Sequence, residues 1–256
     1  MNKLNVPVFG IENESNVKGV GHSKINNKIV DLWNKYFKGR EDVYAPLFYN
    51  ELTTGALLFV GVNPSFSARG FNSVLKDTEY KDINPETFFT WKNISSNPKY
   101  IEDCLVIDRY AFDKHSYFKR MEDISKRLDV PWYHIDTFLY RETSQKDFIS
   151  KIYTKSKLNE FGRDQLEIFK ELLHDTKPKA VVIANAFASG VIQQEFKDKL
   201  SYSKEKGYHH LVLNDVSIPI FFTSMLTGQR ALDTGSYERL VWHIRKAVTN
   251  SDGHLS

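Results

Sequence analysis

An asparagine and a proline follow an apolar run in the segment GALLFVGVNPSFSARG, residues 55–70. Residues 57–60 are bounded by glycines, which predicts a short strand that is covered on both faces. Pro64 has a fixed φ, so Asn63 presents a neutral amide from a stiff turn at the carboxyl end of this strand. Ligands of open α/β sheets bind at this edge. The alternative interpretation is a purely structural turn between strand and loop.

Several common catalytic patterns are missing from the sequence. No Gly-x-Ser-x-Gly elbow surrounds Ser65 or Ser189, and no Walker or dinucleotide-binding glycine pattern follows the first strand. Cys104 is the only cysteine, which excludes an internal disulfide, a thiolate zinc site and an iron–sulfur cluster. The adjacent His209 and His210 would point to opposite faces of a strand, so they are not paired metal ligands. We expect neither a metal nor a cofactor.

Further strands are predicted from apolar and alternating runs. Residues 180–184 are apolar throughout, like the first strand. The run WYHIDTFLYRE after Pro131 alternates and is rich in aromatic and branched residues, which favours a strand. Residues 209–213 and 218–222 flank an Asn-Asp pair and predict a hairpin.

Helices alternate with these strands along the chain. Amphipathic spacing predicts them at residues 24–37, 117–128, 164–174 and 237–248. Residues 66–100 show no clear period and predict a long loop with one short helix. The alternation predicts a three-layer α/β fold with a central, mostly parallel four-stranded sheet and helices on both faces. No linker or repeat interrupts the sequence, so we expect residues 1–256 to form a single domain, with residues 1–22 as an extended arm.

The composition is typical of a globular protein with a mildly basic charge. Hydrophobic residues make up 41% of the chain and charged residues 26%, and the formal net charge is +3. This balance is compatible with a polyanionic partner but does not require one. The N-terminus lacks the apolar core of a signal peptide, and no apolar run is long enough to cross a bilayer. We expect a cytoplasmic protein without a membrane partner; the oligomeric state is not indicated.

Four segments of the sequence occur in a characteristic order. GVNPS at residues 61–65 is followed by HIDTFLYR at residues 134–141, KPKAVVIANAFAS at residues 177–189 and IPIFFTSMLTG at residues 218–228. In this order they resemble the uracil-DNA glycosylase superfamily. The first segment is similar to the family's Gly-x-Asn-Pro motif, and the last occupies the place of its His-Pro-Ser motif. The resemblance covers residues 55–248, which would form a glycosylase-like core.

The resemblance implies a protein that binds a flipped base and hydrolyses its N-glycosidic bond. Asn63 would orient the attacking water and stabilise the developing positive charge, because an amide is no useful base at neutral pH. Asp136 matches the position that faces the base, where uracil-reading members carry an asparagine. An ionised carboxylate only accepts hydrogen bonds, so Asp136 would favour a base with an exocyclic amine. Alternatively, Asp136 caps the end of its strand.

The second motif departs from the family pattern. If Ser224 is aligned with the family serine, Phe222 stands at the position of the histidine. Losing one donor aimed at the leaving group typically costs about 2.7–4 kcal/mol of transition-state stabilisation. This substitution argues against classical uracil excision.

The loop that follows keeps groups suited to phosphate. Gly228 lets backbone amides approach an anion, Ser224, Thr227 and Gln229 can donate hydrogen bonds to it, and Arg230 can pair with it. The resemblance thus implies a phosphate- or DNA-binding loop, whereas an ordinary loop before a helix explains the same residues.

Residues near the two motifs complete the predicted site. Ser65 belongs to the first motif, and the rings of Phe66 and Phe71 either stack on a base or pack in the core. Met225 or Leu226 would fill the gap left by a flipped nucleotide.

Three functions are consistent with the sequence. The first is a DNA glycosylase-like protein acting on a damaged or deaminated base. The second is a non-catalytic module that binds nucleic acid or a nucleobase on the same fold. The third is a hydrolase of free nucleosides or nucleotides. DNA or a nucleobase-containing ligand is the expected partner.

Overall fold

The structure, a computed structural model, describes residues 24–251. The extended arm predicted for residues 1–22 lies outside the described residues. The helices are α1 (Lys24–Phe37), α2 (Ala68–Leu75), α3 (Pro85–Phe88), α4 (Trp91–Ser96), α5 (Lys99–Lys114), α6 (Lys119–Leu128), α7 (Gln145–Ile152), α8 (Glu160–Thr176), α9 (Ala186–Glu195) and α10 (Thr234–Ser251). The strands are β1 (Leu57–Gly61), β2 (Trp132–Asp136), β3 (Tyr153–Thr154), β4 (Lys157–Leu158), β5 (Ala180–Ile183), β6 (Leu200–Ser203), β7 (Tyr208–Leu213) and β8 (Val216–Phe222).

The central sheet has the strand order β2-β1-β5-β8-β7-β6. Its first four strands are parallel; β7 then pairs antiparallel with β8, and β6 pairs antiparallel with β7. The predicted α/β fold with a mostly parallel sheet is confirmed. The predicted number of four strands is wrong, because the sheet contains six. Strand β6 escaped prediction because it is short, half exposed and embedded in a lysine-rich tract that resembles a solvated turn.

The two central strands are apolar because both faces of the sheet are covered. Every residue of β1 and β5 is buried. Leu58 and Val60 belong to a core formed with α1, α5, α7, α8 and α9. Leu57 and Phe59 point to the opposite face, where α6 and α10 supply the packing. Continuous apolar runs therefore predict these strands well, as is typical of parallel sheets.

The hairpin of β7 and β8 agrees with its prediction. Leu213 pairs with Val216 across a two-residue loop. Asn214 and Asp215 in this loop have φ values of 45° and 66°. Positive φ at both central residues is typical of a type I′ turn, which matches the twist of the two strands.

Residues 66–100 differ from the predicted long loop. They contain α2, α3 and α4, which have 8, 4 and 6 residues. These helices are too short to display a helical period. Two of them are capped locally, since the side chains of Ser67 and Asn84 accept hydrogen bonds from the first-turn amides.

The order of the parallel strands creates a crevice at one edge of the sheet. The chain passes from β1 to β2 on one side and later to β5 on the other side of β1. The segments that leave the carboxyl ends of β1 and β5 therefore diverge. Ligands of open α/β sheets bind at such a switch point.

Candidate functional site

A cavity of about 460 Å³ opens at the carboxyl ends of the parallel strands. Residues that follow four different strands line it: Asn63 after β1, Asp136 at the end of β2, Asn185 after β5 and Met225 after β8. Ser65 and Phe71, both predicted to bind a base, also line the cavity. The structure thus brings most of the predicted base-binding set together with Asn63.

The amide of Asn63 joins the loop after β1 to the segment after β2. Its Nδ2 donates to the carbonyl oxygens of Glu142 at 2.7 Å, Tyr140 at 3.1 Å and Pro64 at 3.3 Å. These acceptors fix the amide orientation, because a carbonyl requires a donor. Among residues 24–251, none donates a hydrogen bond to Oδ1 of Asn63. This oxygen is therefore available to accept a hydrogen bond from a water or ligand in the cavity.

The carboxylate of Asp136 packs over a glycine. Asp136 is only 5% exposed. A Cβ on Gly61 would lie 2.2 Å from its Oδ1, far inside van der Waals contact. The two residues are register partners in β1 and β2, so their side-chain positions share one face of the sheet. Glycine at position 61 is therefore required for the carboxylate to reach its place at the cavity.

His134 lies beside Asp136, and the sequence analysis did not assign it a role. The two residues are two positions apart on β2 and point to the same face, with 3.5 Å between His134 Nε2 and Asp136 Oδ1. Rings of Phe112, Tyr117 and Phe118 lie within 6 Å of the imidazole, centroid to centroid. The signal that identifies this pair in the sequence is the alternation His-x-Asp at the end of a strand.

One nitrogen of this imidazole lacks a partner. His134 Nδ1 is buried and forms no hydrogen bond with the described part of the chain. An unsatisfied buried polar atom costs about 1–3 kcal/mol, and the other ring nitrogen, Nε2, is the one that lies beside Asp136. Imidazole and carboxylate together offer a cavity ligand both a donor and acceptors.

The cavity wall contains a buried ion pair. Arg141 Nη2 lies 2.5 Å from Asp108 Oδ2, and Arg141 Nε donates to the carbonyl of Ala45 at 3.0 Å. Burial raises the pKa of Asp108, while the charge of Arg141 opposes that rise. This guanidinium is held by the protein itself, so it is a structural cation.

The remaining polar wall contains two carboxylates among neutral side chains. Asp136 and Glu142 both line the cavity, and no Lys or Arg in the described range forms an ion pair with either. Burial, assisted by the charge of Asp136, raises the pKa of the Tyr117 hydroxyl, which keeps it neutral. The site therefore favours ligands that donate hydrogen bonds over anions.

Of the residues in the loop after β8, Met225 lines the cavity, whereas Ser224, Thr227, Gly228, Gln229 and Arg230, the predicted phosphate-binding set, are not part of its lining. Ser224, Gly228, Gln229 and Arg230 are exposed. Thr227 Oγ1 donates to the carbonyl of Tyr117 at 3.4 Å, which ties this loop to the aromatic wall. Arg230 forms no ion pair within residues 24–251. Of the two predicted wedge residues, Leu226 is fully buried in the core, while Met225 faces the cavity.

The two predicted aromatic residues have different environments. Phe71 is 7% exposed and lines the cavity. Phe66 stacks on Tyr44 with 3.9 Å between ring centroids and contacts Phe71 and Phe89. Phe66 is not part of the cavity lining but packs against Phe71, which is.

Two further findings concern metals and membranes. The described residues contain no group of three or more His, Cys, Asp or Glu side chains placed to hold a metal ion. Nor does any helix in this part of the chain combine the length and apolarity needed to cross a membrane.

Comparisons with known proteins give no assignment. No protein-family model matches this sequence, and a search of curated proteins finds no similar one.

Proposed function

We propose that the protein binds a nucleobase of a nucleic acid in this cavity and hydrolyses its N-glycosidic bond, as the resemblance to uracil-DNA glycosylases implies. One observation carries the proposal: Asn63 and Asp136, from different strands, line one cavity at the ligand-binding edge of the sheet. Its volume of about 460 Å³ lies within the usual range of small-molecule sites.

In the proposed reaction, a water oxygen bonds to the anomeric carbon of the sugar. The bond from that carbon to the base breaks, its electron pair goes to the base nitrogen, and the water's proton is transferred to the departing base. Oδ1 of Asn63 accepts a hydrogen bond from the water and directs its lone pair. The carboxylate of Glu142 stabilises the positive charge that develops on the sugar.

We propose that the preferred base carries an exocyclic amine. The carboxylate of Asp136 accepts a hydrogen bond from that amine, and the imidazole of His134 donates to a neighbouring ring nitrogen. Adenine presents an amine beside an acceptor nitrogen, whereas uracil presents carbonyl oxygens, which the carboxylate repels. The same imidazole donor would stabilise the negative charge of the departing base, which Phe222, at the position of the family histidine, cannot do.

The loop at residues 224–230 would hold the phosphate backbone outside the cavity. Arg230 is exposed and free of ion pairs with the described residues, and Gly228, which has a φ of 88°, is exposed as well. The carboxylates of the cavity wall would repel a phosphate, so the phosphate lies outside and the uncharged base enters the cavity.

A non-catalytic binding module is the second candidate, and the contacts of Asn63 favour it. Both amide protons of Asn63 are engaged by backbone carbonyls, so part of its role is structural. Phe222 supplies no donor for the leaving base. The same cavity and loop would then recognise a base without cleaving it.

Base excision from a panel of oligonucleotides tests these proposals. Single-stranded and duplex substrates carry uracil, hypoxanthine, xanthine, mismatches or an alkylated adenine, and abasic sites are quantified. We expect cleavage of the amine-bearing base, and a loss of at least about a hundredfold in Asn63→Ala, the scale of losing one oriented donor or acceptor. Absence of cleavage with salt-dependent binding supports the binding module. Absence of both overturns the nucleic-acid proposal and leaves free nucleosides as substrates to assay.

Asn93→Ala is the matched control for Asn63→Ala. The amide of Asn93 also donates to a backbone carbonyl, that of Phe88 at 2.8 Å, but it lies in α4 away from the cavity. Both variants lose a structural hydrogen bond, so both should lose some stability. Only Asn63→Ala should lose excision when assayed below its unfolding temperature.

A further inference from the structure

We propose that the exposed face of α10 is a second nucleic-acid contact, which binds single-stranded nucleic acid by stacking a base on Trp242. This surface, which we call the tryptophan face, consists of Arg127 from α6 and Arg239, Trp242, Arg245 and Lys246 from α10. Four of these residues, all except Lys246, line a groove of about 400 Å³ between the two helices, together with Glu238 and Val241. The proposal extends the nucleic-acid binding proposed above but does not require base excision.

Trp242 does not pack in the hydrophobic core. It is 55% exposed, whereas Val241 and Ile244 on the same helix are buried against the sheet. Lys246 Nζ lies 5.6 Å from the centroid of its ring, a cation–π contact one helical turn away. An exposed indole beside cations is the combination with which single-strand-binding proteins hold successive bases and phosphates.

One of the four cations around this indole, Arg127, forms close ion pairs in the described part of the chain. Arg127 pairs with Glu238 and Asp123 at 2.6 Å and 3.5 Å. Within the described chain, Arg239, Arg245 and Lys246 form no ion pair. Arg245 Nη2 instead donates to the backbone carbonyl of Arg127, and Arg239 Nη2 to the hydroxyl of Ser236. The tryptophan face is therefore positively charged, which selects a polyanion as its occupant.

The position of the tryptophan face favours a strand that also reaches the loop at residues 224–230. Thr234 begins α10 shortly after that loop. Trp242 lies eight residues further along the helix, which corresponds to about 12 Å. The exposed loop that contains Arg230 therefore lies close in sequence to this helix face, and a bound strand would extend from one toward the other. The carboxylates of an acidic peptide would match the positive charge, but they would not stack on the exposed indole.

Fluorescence anisotropy with a short labelled oligothymidine, recorded over a series of salt concentrations, tests the proposal. We expect Trp242→Ala to weaken binding about five- to hundredfold at every salt concentration, the range for losing one stacked base. Trp242→Phe should retain most of the affinity, because a phenyl ring still stacks. Arg239→Ala combined with Lys246→Ala should reduce the slope of affinity against salt, since fewer counterions are released.

Tyr202→Ala is the matched control. Tyr202 is 56% exposed, nearly the same as Trp242, but lies on the edge strand β6. Equal binding by Trp242→Ala and Tyr202→Ala overturns the proposal. So does equal competition by heparin, which carries charge without bases, or preferential binding to an acidic peptide or to anionic phosphatidylserine vesicles. Excision failure with intact Trp242-dependent binding leaves this proposal standing and removes only the catalytic one.

Discussion

Gly61 carries a hydrogen atom where other residues carry a Cβ, and only this leaves room for the carboxylate of Asp136. Because an added Cβ would lie 2.2 Å from Asp136 Oδ1, Gly61→Ala must displace the carboxylate, the neighbouring His134 ring, or both. We expect loss of base binding and excision, together with a destabilisation of about 1–3 kcal/mol from overpacking. Isothermal titration with nucleosides and urea denaturation measure the two effects separately.

Gly190→Ala provides the comparison. Gly190 lies in α9, and nothing lies within 4 Å of an added Cβ. Alanine there should raise stability by up to about 1 kcal/mol through helix propensity and leave binding unchanged. A Gly61→Ala protein that binds nucleosides as the wild type does would show that the Asp136 carboxylate is not part of the binding site.

Exchanging Asp136 for asparagine should reverse the preference for bases. An amide both donates and accepts, so Asp136→Asn can pair with the carbonyl edge of uracil, which the carboxylate repels. We expect the ratio of affinities for cytidine and uridine to fall by about tenfold or more, the value of one hydrogen bond to a charged group. Competition binding of the two nucleosides measures this ratio. An unchanged ratio would mean that Asp136 does not read the base.

Residue types on the strand ends explain which parts of the site the sequence could predict. Asn63 follows a recognisable strand and Asp136 lies within a second one, and parallel strands bring their carboxyl ends to one edge. His134 was missed because a histidine within an apolar strand looks like an ordinary core residue, and only its distance to Asp136 distinguishes it. The close approach at Gly61 depends on the register of two strands distant in sequence, which the sequence does not display.

At the scale of elements, the pair of Asp108 and Arg141 connects α5 to the segment after β2. Both side chains are nearly inaccessible. Asp108→Ala leaves the guanidinium buried without its counterion, so we expect a loss of about 3–5 kcal/mol in the free energy of unfolding. Asp108→Asn keeps an acceptor and should lose less. Urea denaturation measures both; in the control Lys126→Ala, which removes an exposed i,i+4 pair, we expect no measurable change.

The hairpin of β7 and β8 should make stability depend on pH. Burial lowers the pKa of His209 below its usual 6.5. The unfolded chain therefore binds this proton more readily than the folded one, so stability is full above about pH 6.5 and is lost as the pH falls through and below that value. The substitution His209→Gln removes the titratable imidazole. The free energy of unfolding of this variant should therefore decline less than that of the wild type in denaturation series between about pH 8 and pH 5. Parallel declines would contradict the assignment.

Element types also show where sequence patterns lose information. Strands β1 and β5 are uniformly apolar and were predicted directly. The run WYHIDTFLYRE continues its alternation past Asp136, where β2 ends; further along, the amides of Leu139 and Tyr140 donate to the side chain of Gln165 from α8. That tertiary contact cannot be read from local periodicity.

At the scale of the whole molecule, the cavity joins elements from both halves of the chain, so occupancy should stabilise the entire fold. At a free ligand concentration of 100 times the Kd, binding adds about 2.7 kcal/mol to stability. For a protein of this size, that corresponds to a rise in Tm of roughly 5–10 °C. We expect cytidine or adenosine to produce this rise and uridine to produce less, in differential scanning fluorimetry at matched concentrations.

The variants separate the cavity from the surface in this assay. Gly61→Ala should abolish the rise, because the carboxylate no longer lies at the end of β1. Trp242→Ala should retain it, since the tryptophan face lies outside the lining of the cavity. If Trp242→Ala abolished the nucleoside effect while Gly61→Ala preserved it, the base would bind on α10, and the crevice between β1 and β5 would no longer be a candidate for the functional site.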